Sequence, residues 1–339
     1  MTRPRVFVAR HLPGRALEYL AEHADVDIWP DEMPPSAADV ADVAARSVSC
    51  HGLLSLLTDR VDAALLDSAP DLLVVSNMAT GFDNVDVPAA SERLVLVTRT
   101  PGVLAETTAD FTFALILAAA RRVVEGDRFT REGRWKTWGP EVLLGQDIYG
   151  ATLGIVGMGG IGSEVARRAK GFGMRIIYNS RTRKPEVEEE TGAEFGSLDE
   201  VLRESDFLTI HAPLTPETKH LINADSLRTM KRTAILANTS RGGLVDQWAL
   251  YEALRDGVIA GTALDVTDPE PMASDDPLLT LDNVIVTPHI ASASVATRSR
   301  MAMLAAENMV RALNGEVPEN TVNPEIAVGW RARVRRSLA

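Results

Sequence analysis

The stretch TLGIVGMGGIGSEVARRAKGFGMRIIYNSRTR, Thr152 to Arg183, sets a glycine cluster between two apolar, β-rich runs and closes on arginines. Gly157, Gly159 and Gly162 form the pattern GxGxxG directly after the strand-like TLGIV and open the helical IGSEVARRAKGFG. In that context the glycines serve a tight turn, close approach of the backbone to a pyrophosphate, and tight packing of helix on strand. The helix amino end then offers free N–H groups and a positive dipole to phosphate. The stretch predicts a βαβ unit holding a dinucleotide, with Gly157, Met158, Gly159, Gly160, Ile161 and Gly162 as its phosphate loop.

About twenty residues beyond such a loop, the second strand ends in Asp or Glu if it must hold the ribose 2′-hydroxyl of NAD. Here that place reads YNSRTR. An acid would repel a 2′-phosphate, whereas Ser180, Arg181 and Thr182, with Arg183 beside them, can pair with its charge and oxygens. The expectation is NADP(H) in preference, with NAD(H) possible; a solvated surface turn is the bland alternative.

Working outward, the first hundred residues alternate β-rich runs (VFVA, VDIW, GLLSLL, LLVVS, LVLVT) with amphipathic segments from Gly14, near Ser36 and near Val61. That rhythm predicts a parallel sheet with helices on both faces, and no glycine-rich loop follows any of these strands. Thr107 to about Arg131 reads as one long helix. A second alternating series follows from Ala151: ATLGIVG, MRIIYN, DFLTIHA, TAILANT, IAGTALDV and NVIVTPH as strands, then a helix ending at Gly315. The fold class is therefore α/β, two Rossmann-like or flavodoxin-like parallel-sheet domains. The terminal VGWRARVRR reads as a frayed, solvated tail over 327–339, with an anion-binding arm as the alternative.

With 339 residues and a net charge of −12, the chain has room for two ordinary domains and no broad basic face for nucleic acid. Cys50 is the only cysteine, so neither an internal disulfide nor a thiolate zinc cluster can form, and no metal site is expected. The apolar FALILAAA falls far short of a membrane span, and no secretory core precedes it. These features predict a cytoplasmic protein without nucleic-acid or membrane partners.

Three polar residues fall just after late strands, where open parallel sheets place their sites: Arg241 after ILANTS, Glu270 after TALDVTDP, and His289 after VIVTP. Reduction of a 2-oxo acid needs a cation for the carboxylate, a proton donor for the carbonyl and a nearby hydride. Arg241 is the candidate anchor, because a guanidinium grips carboxylate in a fixed fork. His289 is the candidate acid, and a carboxylate from Glu270 lying against the imidazole would favour its protonated form. Singly, each has an ordinary alternative as a surface, turn or loop residue; their joint placement downstream of a dinucleotide loop points to chemistry.

With these residues, and with GLLSLLTDRVD, SNMATGFDNVDV, GVLAETTADFTFALIL, SDFLTIHAPLTPETKHLI, NTSRGGLVD, ALDVTDPEP and VIVTPHIASAS, the chain resembles the D-isomer-specific 2-hydroxyacid dehydrogenases, and among them the glyoxylate/hydroxypyruvate reductases. The resemblance spans nearly the whole chain. It implies a cofactor domain, roughly 101–287, inserted into a substrate domain built from 1–100 and 288–326. It also implies reduction of glyoxylate or hydroxypyruvate to a D-2-hydroxy acid, with Arg241, Glu270 and His289 as catalytic residues. By the same matching, Thr80 and Gly81 hold the substrate carboxylate through their N–H groups, with Leu54 nearby. Val103, Thr107, His211, Pro213, Thr218, Thr239, Ser240 and Asp265 line the cofactor site, joined by Arg241, His289 and Ala291.

The family resemblance further implies a homodimer joined through the cofactor domains. Trp138 in GRWKTWGP matches a tryptophan that reaches the neighbouring subunit's substrate; the alternative is that Trp135 and Trp138 only fill the interface. Two departures stand out: Gly160 where an arginine or larger residue is common, and Ala291 where glycine is usual. The same fold also resembles dinucleotide-sensing corepressors and phosphite or formate dehydrogenases. The absence of a peptide-docking extension disfavours the first, and the NADP-type loop disfavours the second.

Overall fold

The β-branched and leucine-rich runs of the first hundred residues form β1 (Arg5–Val8), β2 (Asp25–Ile28), β3 (Gly52–Ser55), β4 (Val74–Asn77) and β5 (Leu96–Thr98) in the computed structural model, which describes residues 3–36, 39 and 50–339. All pairings are parallel, in the order β2-β1-β3-β4-β5, the flavodoxin-like arrangement. β3, β4 and β5 are buried at every position, as strands covered on both faces must be. The helix expected from near Ser36 runs into residues outside those described. Asp62 and Asp86 cap the short helices Ala63–Ser68 and Val87–Glu92 through side-chain bonds to Leu65 N and Ala89 N.

The second series forms β6 (Thr152–Val156), β7 (Arg175–Asn179), β8 (Glu194–Phe195), β9 (Phe207–Ile210), β10 (Ile235–Asn238), β11 (Gly261–Leu264) and β12 (Val284–Val286). Its order is β12-β11-β10-β9-β6-β7-β8, again all parallel. That is the dinucleotide-binding order extended by one edge strand, and its switch point, where the winding reverses, lies between β6 and β9. β8 escapes sequence reading because it is two exposed residues long. The chain divides into two units, Met1–Leu104 with Ser294–Ala339, and Ala105–Ala293.

Two expectations are corrected. The long helix from Thr107 is two helices, Ala105–Ala120 and Val123–Arg131. The break is at Arg122, whose φ of 53° is left-handed, and Ala120 O accepts from Gln146 N at 2.8 Å instead of continuing a helix. Gly145 is what lets that strand of chain approach, since a Cβ there would lie 2.2 Å from Ala120 O.

The tail is not frayed but forms the helix Ala327–Ser337. Trp330 and Val334, four apart, make one apolar stripe among the arginines, and both are buried. Trp330 Nε1 donates to Leu73 O at 2.9 Å, and Arg333 donates to the carbonyls of Pro70, Arg93 and Leu94. A charge-rich composition concealed a two-residue anchor.

Candidate active site

The loop after β6 is shaped by backbone crowding. Gly157 sits at φ +98°, where a Cβ would lie 2.6 Å from Ala212 N and from His211 C. A Cβ on Gly162 would lie 2.2 Å from Gly157 O, so the helix Gly160–Gly171 presses on the turn that precedes it. Gly159 differs: a Cβ there would meet nothing within 4 Å. No side chain caps this helix, and the N–H groups of Gly159, Gly160 and Ile161 donate to no acceptor among the described residues. The first and third glycines thus serve the fold, and the middle one leaves room beside free donors. These features fit a dinucleotide pyrophosphate. Met158 is buried in the core beneath the loop, and Ile161 packs partly against the same cluster.

His211 follows β9 across the switch point, its N–H donating to Val156 O at 2.7 Å. Its Nε2 contacts Thr209 Oγ1 at 3.0 Å, and its buried Nδ1 has no partner among the described residues. Burial pushes this imidazole down to about 3, so it is neutral in ordinary buffers. Pro213 and Thr218 close the next loop, Thr218 Oγ1 donating to Pro213 O at 2.7 Å.

At the carboxyl end of β10, Thr239 Oγ1 shares a 2.9 Å hydrogen bond with Thr112 Oγ1, and Ser240 Oγ donates to Ala212 O at 2.7 Å. Buried Asn238 accepts from Ser240 N at 3.0 Å and donates to Arg241 O at 2.8 Å, which fixes the backbone that carries the guanidinium. Arg241 Nη1 donates to Ser240 O at 2.8 Å. The following Gly242 lies so close to the β11 loop that a Cβ would be 2.0 Å from Thr267 O. The arginine loop and the Glu270 loop are therefore packed backbone to backbone.

His289 Nδ1 and Glu270 Oε1 lie 2.5 Å apart, with side chains 19% and 31% exposed. The histidine occupies a left-handed φ of 52°, and its loop is held by Asp265. That carboxylate, 1% exposed, accepts from Thr287 Oγ1 at 2.6 Å, Ile290 N at 2.8 Å and Ala291 N at 2.7 Å. Asp265 and Ala291, read as cofactor-lining, thus also form the support behind His289. Sequence reading missed Thr112, Thr209, Asn238 and Thr287; each is a Thr or Asn at an apolar strand end or in an apolar helix, the only signal a sequence could give.

At the end of β7, Ser180 Oγ donates to Thr182 O at 2.5 Å. Arg181 is exposed and makes no side-chain hydrogen bond or ion pair among the described residues, whereas Arg183 is paired with Glu188 at 2.7 Å. Trp135 and Trp138 are exposed, 63% and 79%. In the first unit, Leu54 is fully buried in β3, and Thr80 and Gly81 are partly buried, with N–H groups that meet no acceptor among the described residues. Val103 belongs to the first unit, its carbonyl 3.5 Å from Arg300 Nη2, and Thr107 lies in the first turn of Ala105–Ala120. Among the described residues there is no group of three metal-ligating side chains, and no helix is long and apolar enough to cross a membrane.

A doubly wound sheet with this loop at its switch point, and with Arg, Glu and His on adjacent strand ends, defines a dinucleotide-dependent oxidoreductase class. Residues 113–291 match the model of the D-isomer specific 2-hydroxyacid dehydrogenase NAD binding domain. The chain is 56% identical over 325 residues to a glyoxylate reductase of Korarchaeum cryptofilum, covering 96% of this chain and 97% of the relative. A crystal structure of a Thermus thermophilus protein aligns with a TM-score of 0.88 at 50% identity, covering 94% of this chain and 99% of that one. An NADPH-dependent glyoxylate/hydroxypyruvate reductase of Sinorhizobium meliloti, solved with NADP and malonate, aligns at a TM-score of 0.84 and 35% identity, covering 95% and 97%. The chain belongs to the D-isomer-specific 2-hydroxyacid dehydrogenase family.

Proposed function

We propose that the protein reduces glyoxylate, hydroxypyruvate or a related small 2-oxo acid to the D-2-hydroxy acid, using NADPH in preference to NADH. The observation that carries this reading is the 2.5 Å contact of His289 Nδ1 with Glu270 Oε1, on a loop that abuts the one bearing Arg241. Gly159 and the free N–H groups of the next turn would hold the pyrophosphate, with Ser180, Arg181 and Thr182 at a 2′-phosphate. When bound, the nicotinamide supplies the hydride.

Arg241 grips the substrate carboxylate in its fork and draws electron density from the neighbouring carbonyl. Glu270 orients the imidazole through Nδ1, and Nε2 delivers a proton to the carbonyl oxygen as negative charge grows there. Asp265, through Thr287 and two backbone N–H groups, keeps that nitrogen in register.

The exposed apolar residues Val123, Val124, Trp135, Trp138, Leu144 and Tyr149 support a homodimer formed through this unit. Relatives named glyoxylate reductase support the substrate class. The single, buried cysteine supports a cytoplasmic setting.

The test is turnover. Steady NADPH oxidation on adding glyoxylate, a D-configured product, and a kcat about 10² to 10⁴ lower in His289→Gln are expected. Cofactor binding without turnover across a panel of 2-oxo acids would overturn the reading in favour of a dinucleotide sensor.

A further inference from the structure

We propose that Glu188 sets how strongly this protein discriminates in favour of a 2′-phosphorylated dinucleotide, by holding Arg183 away from the phosphate. The proposal rests on the reading of Ser180–Thr182 as a 2′-phosphate cradle and deepens it. The end of β7 lacks the acid that would repel such a phosphate, but the fold returns one from the helix Pro185–Thr191. Glu188 takes the Arg183 guanidinium by its fork, Nε to Oε1 at 2.9 Å and Nη2 to Oε2 at 2.7 Å. Tyr178 OH donates to Glu188 Oε1 at 2.6 Å and accepts from Lys184 N at 2.7 Å. The tyrosine ring is buried in the sheet, so the cluster is anchored to β7 itself.

Within one loop, then, the two arginines have different employment. Arg183 has its planar fork matched to a carboxylate, while Arg181 is exposed and has no partner among the described residues. The hydrogen bonds from Arg183 and from Tyr178 hold the Glu188 carboxyl below its usual range, and burial leads in pushing the Tyr178 phenol up to about 12. Both groups keep their roles through the working pH range. Glu188 acts by occupying a guanidinium that could reach phosphate, and as a pair with Arg183 it adds no net charge beside the cradle. Removing its charge releases the arginine.

The experiment measures dissociation constants of NADPH and NADH by fluorescence for the whole chain and for Arg181→Ala, Arg183→Ala, Glu188→Gln and Arg183→Ala/Glu188→Gln. Arg181→Ala is expected to weaken NADPH about tenfold, and Arg183→Ala less than about twofold. Glu188→Gln is expected to tighten NADPH roughly three- to tenfold with NADH unchanged, and the double variant to lose that gain. An Arg183→Ala loss as large as that of Arg181→Ala, or a folded Glu188→Gln variant without tighter NADPH binding, would overturn the proposal. If Glu188→Gln does not fold, Arg183→Ala decides alone. A wild-type protein with no NADPH preference and an inert Arg181→Ala would instead remove the underlying cradle reading.

Discussion

Gly157→Ala and Gly159→Ala change the same two-residue neighbourhood by one methyl group each, and the structure gives them opposite consequences. At Gly157 the alanine must hold φ near +98° and place its methyl 2.6 Å from the Ala212 and His211 backbone. The left-handed conformation costs about 1–2 kcal/mol, and forcing apart packed backbone costs about 1–3 kcal/mol more. A loss of about 2–5 kcal/mol of stability is expected. At Gly159 the backbone is at φ −82°, ψ −165°, and the methyl meets nothing within 4 Å. The cost there is that of alanine at a helix N-cap, about 0.5–1 kcal/mol. The same methyl, however, stands where the proposed pyrophosphate would approach the helix end, and dinucleotide affinity should fall at least about tenfold, or ~1.4 kcal/mol. Guanidinium unfolding and cofactor titration on both variants separate the two effects. A stable Gly159→Ala protein that binds NADPH like wild type would refute the placement of phosphate over Gly159, and a Gly157→Ala protein of unchanged stability would refute the crowding argument.

His211 should leave a mark on acid stability: its folded value is depressed from 6.5 to about 3, so below pH 6.5 the unfolded chain binds a proton that the folded one refuses. Stability therefore falls as pH drops through that window, by up to about 1.4 kcal/mol per pH unit from this group; unfolding at pH 7, 6 and 5 should show a shallower slope in His211→Asn, and identical slopes would dismiss the idea. Trp330→Ala should lower stability by about 3–5 kcal/mol, whereas a melting temperature equal to wild type would mean that the terminal helix does not anchor the first unit.

Sequence alone carried the two parallel sheets, because their strands are continuous apolar runs bounded by glycine and polar residues and because each candidate catalytic residue follows such a run. It carried the glycine loop for the same reason, but not the division of labour within it, which depends on what faces each Cα. The break at Arg122 was hidden: the following chain reaches back through Gly145 to take Ala120 O, a contact across the turn that no local periodicity encodes. The terminal helix was hidden by its arginines, since two buried side chains in eleven residues are too sparse to register as an apolar face. In the candidate site, Arg241, Glu270 and His289 stand out as ionisable groups after apolar strands, whereas Asn238 and Thr287 look like ordinary strand-end residues until their hydrogen bonds are traced. Arg183 was read beside Arg181 as a partner for phosphate; only the fold reveals that a helix returns Glu188 to it.

The first unit is completed by chain that is made much later than its strands. Val97 N bonds to Asn323 Oδ1, Ser76 Oγ to Ala305 O, and the indole of Trp330 to Leu73 O, joining strands near the start to segments more than two hundred residues away in sequence. A ribosome therefore releases β4 and β5 long before the helix Val295–Leu313 and the helix Ala327–Ser337 exist, while all strands of the second unit, Ala105–Ala293, emerge in one uninterrupted passage. The nascent chain can assemble the inserted unit first, and β4 and β5 must wait for the downstream helices that complete their packing.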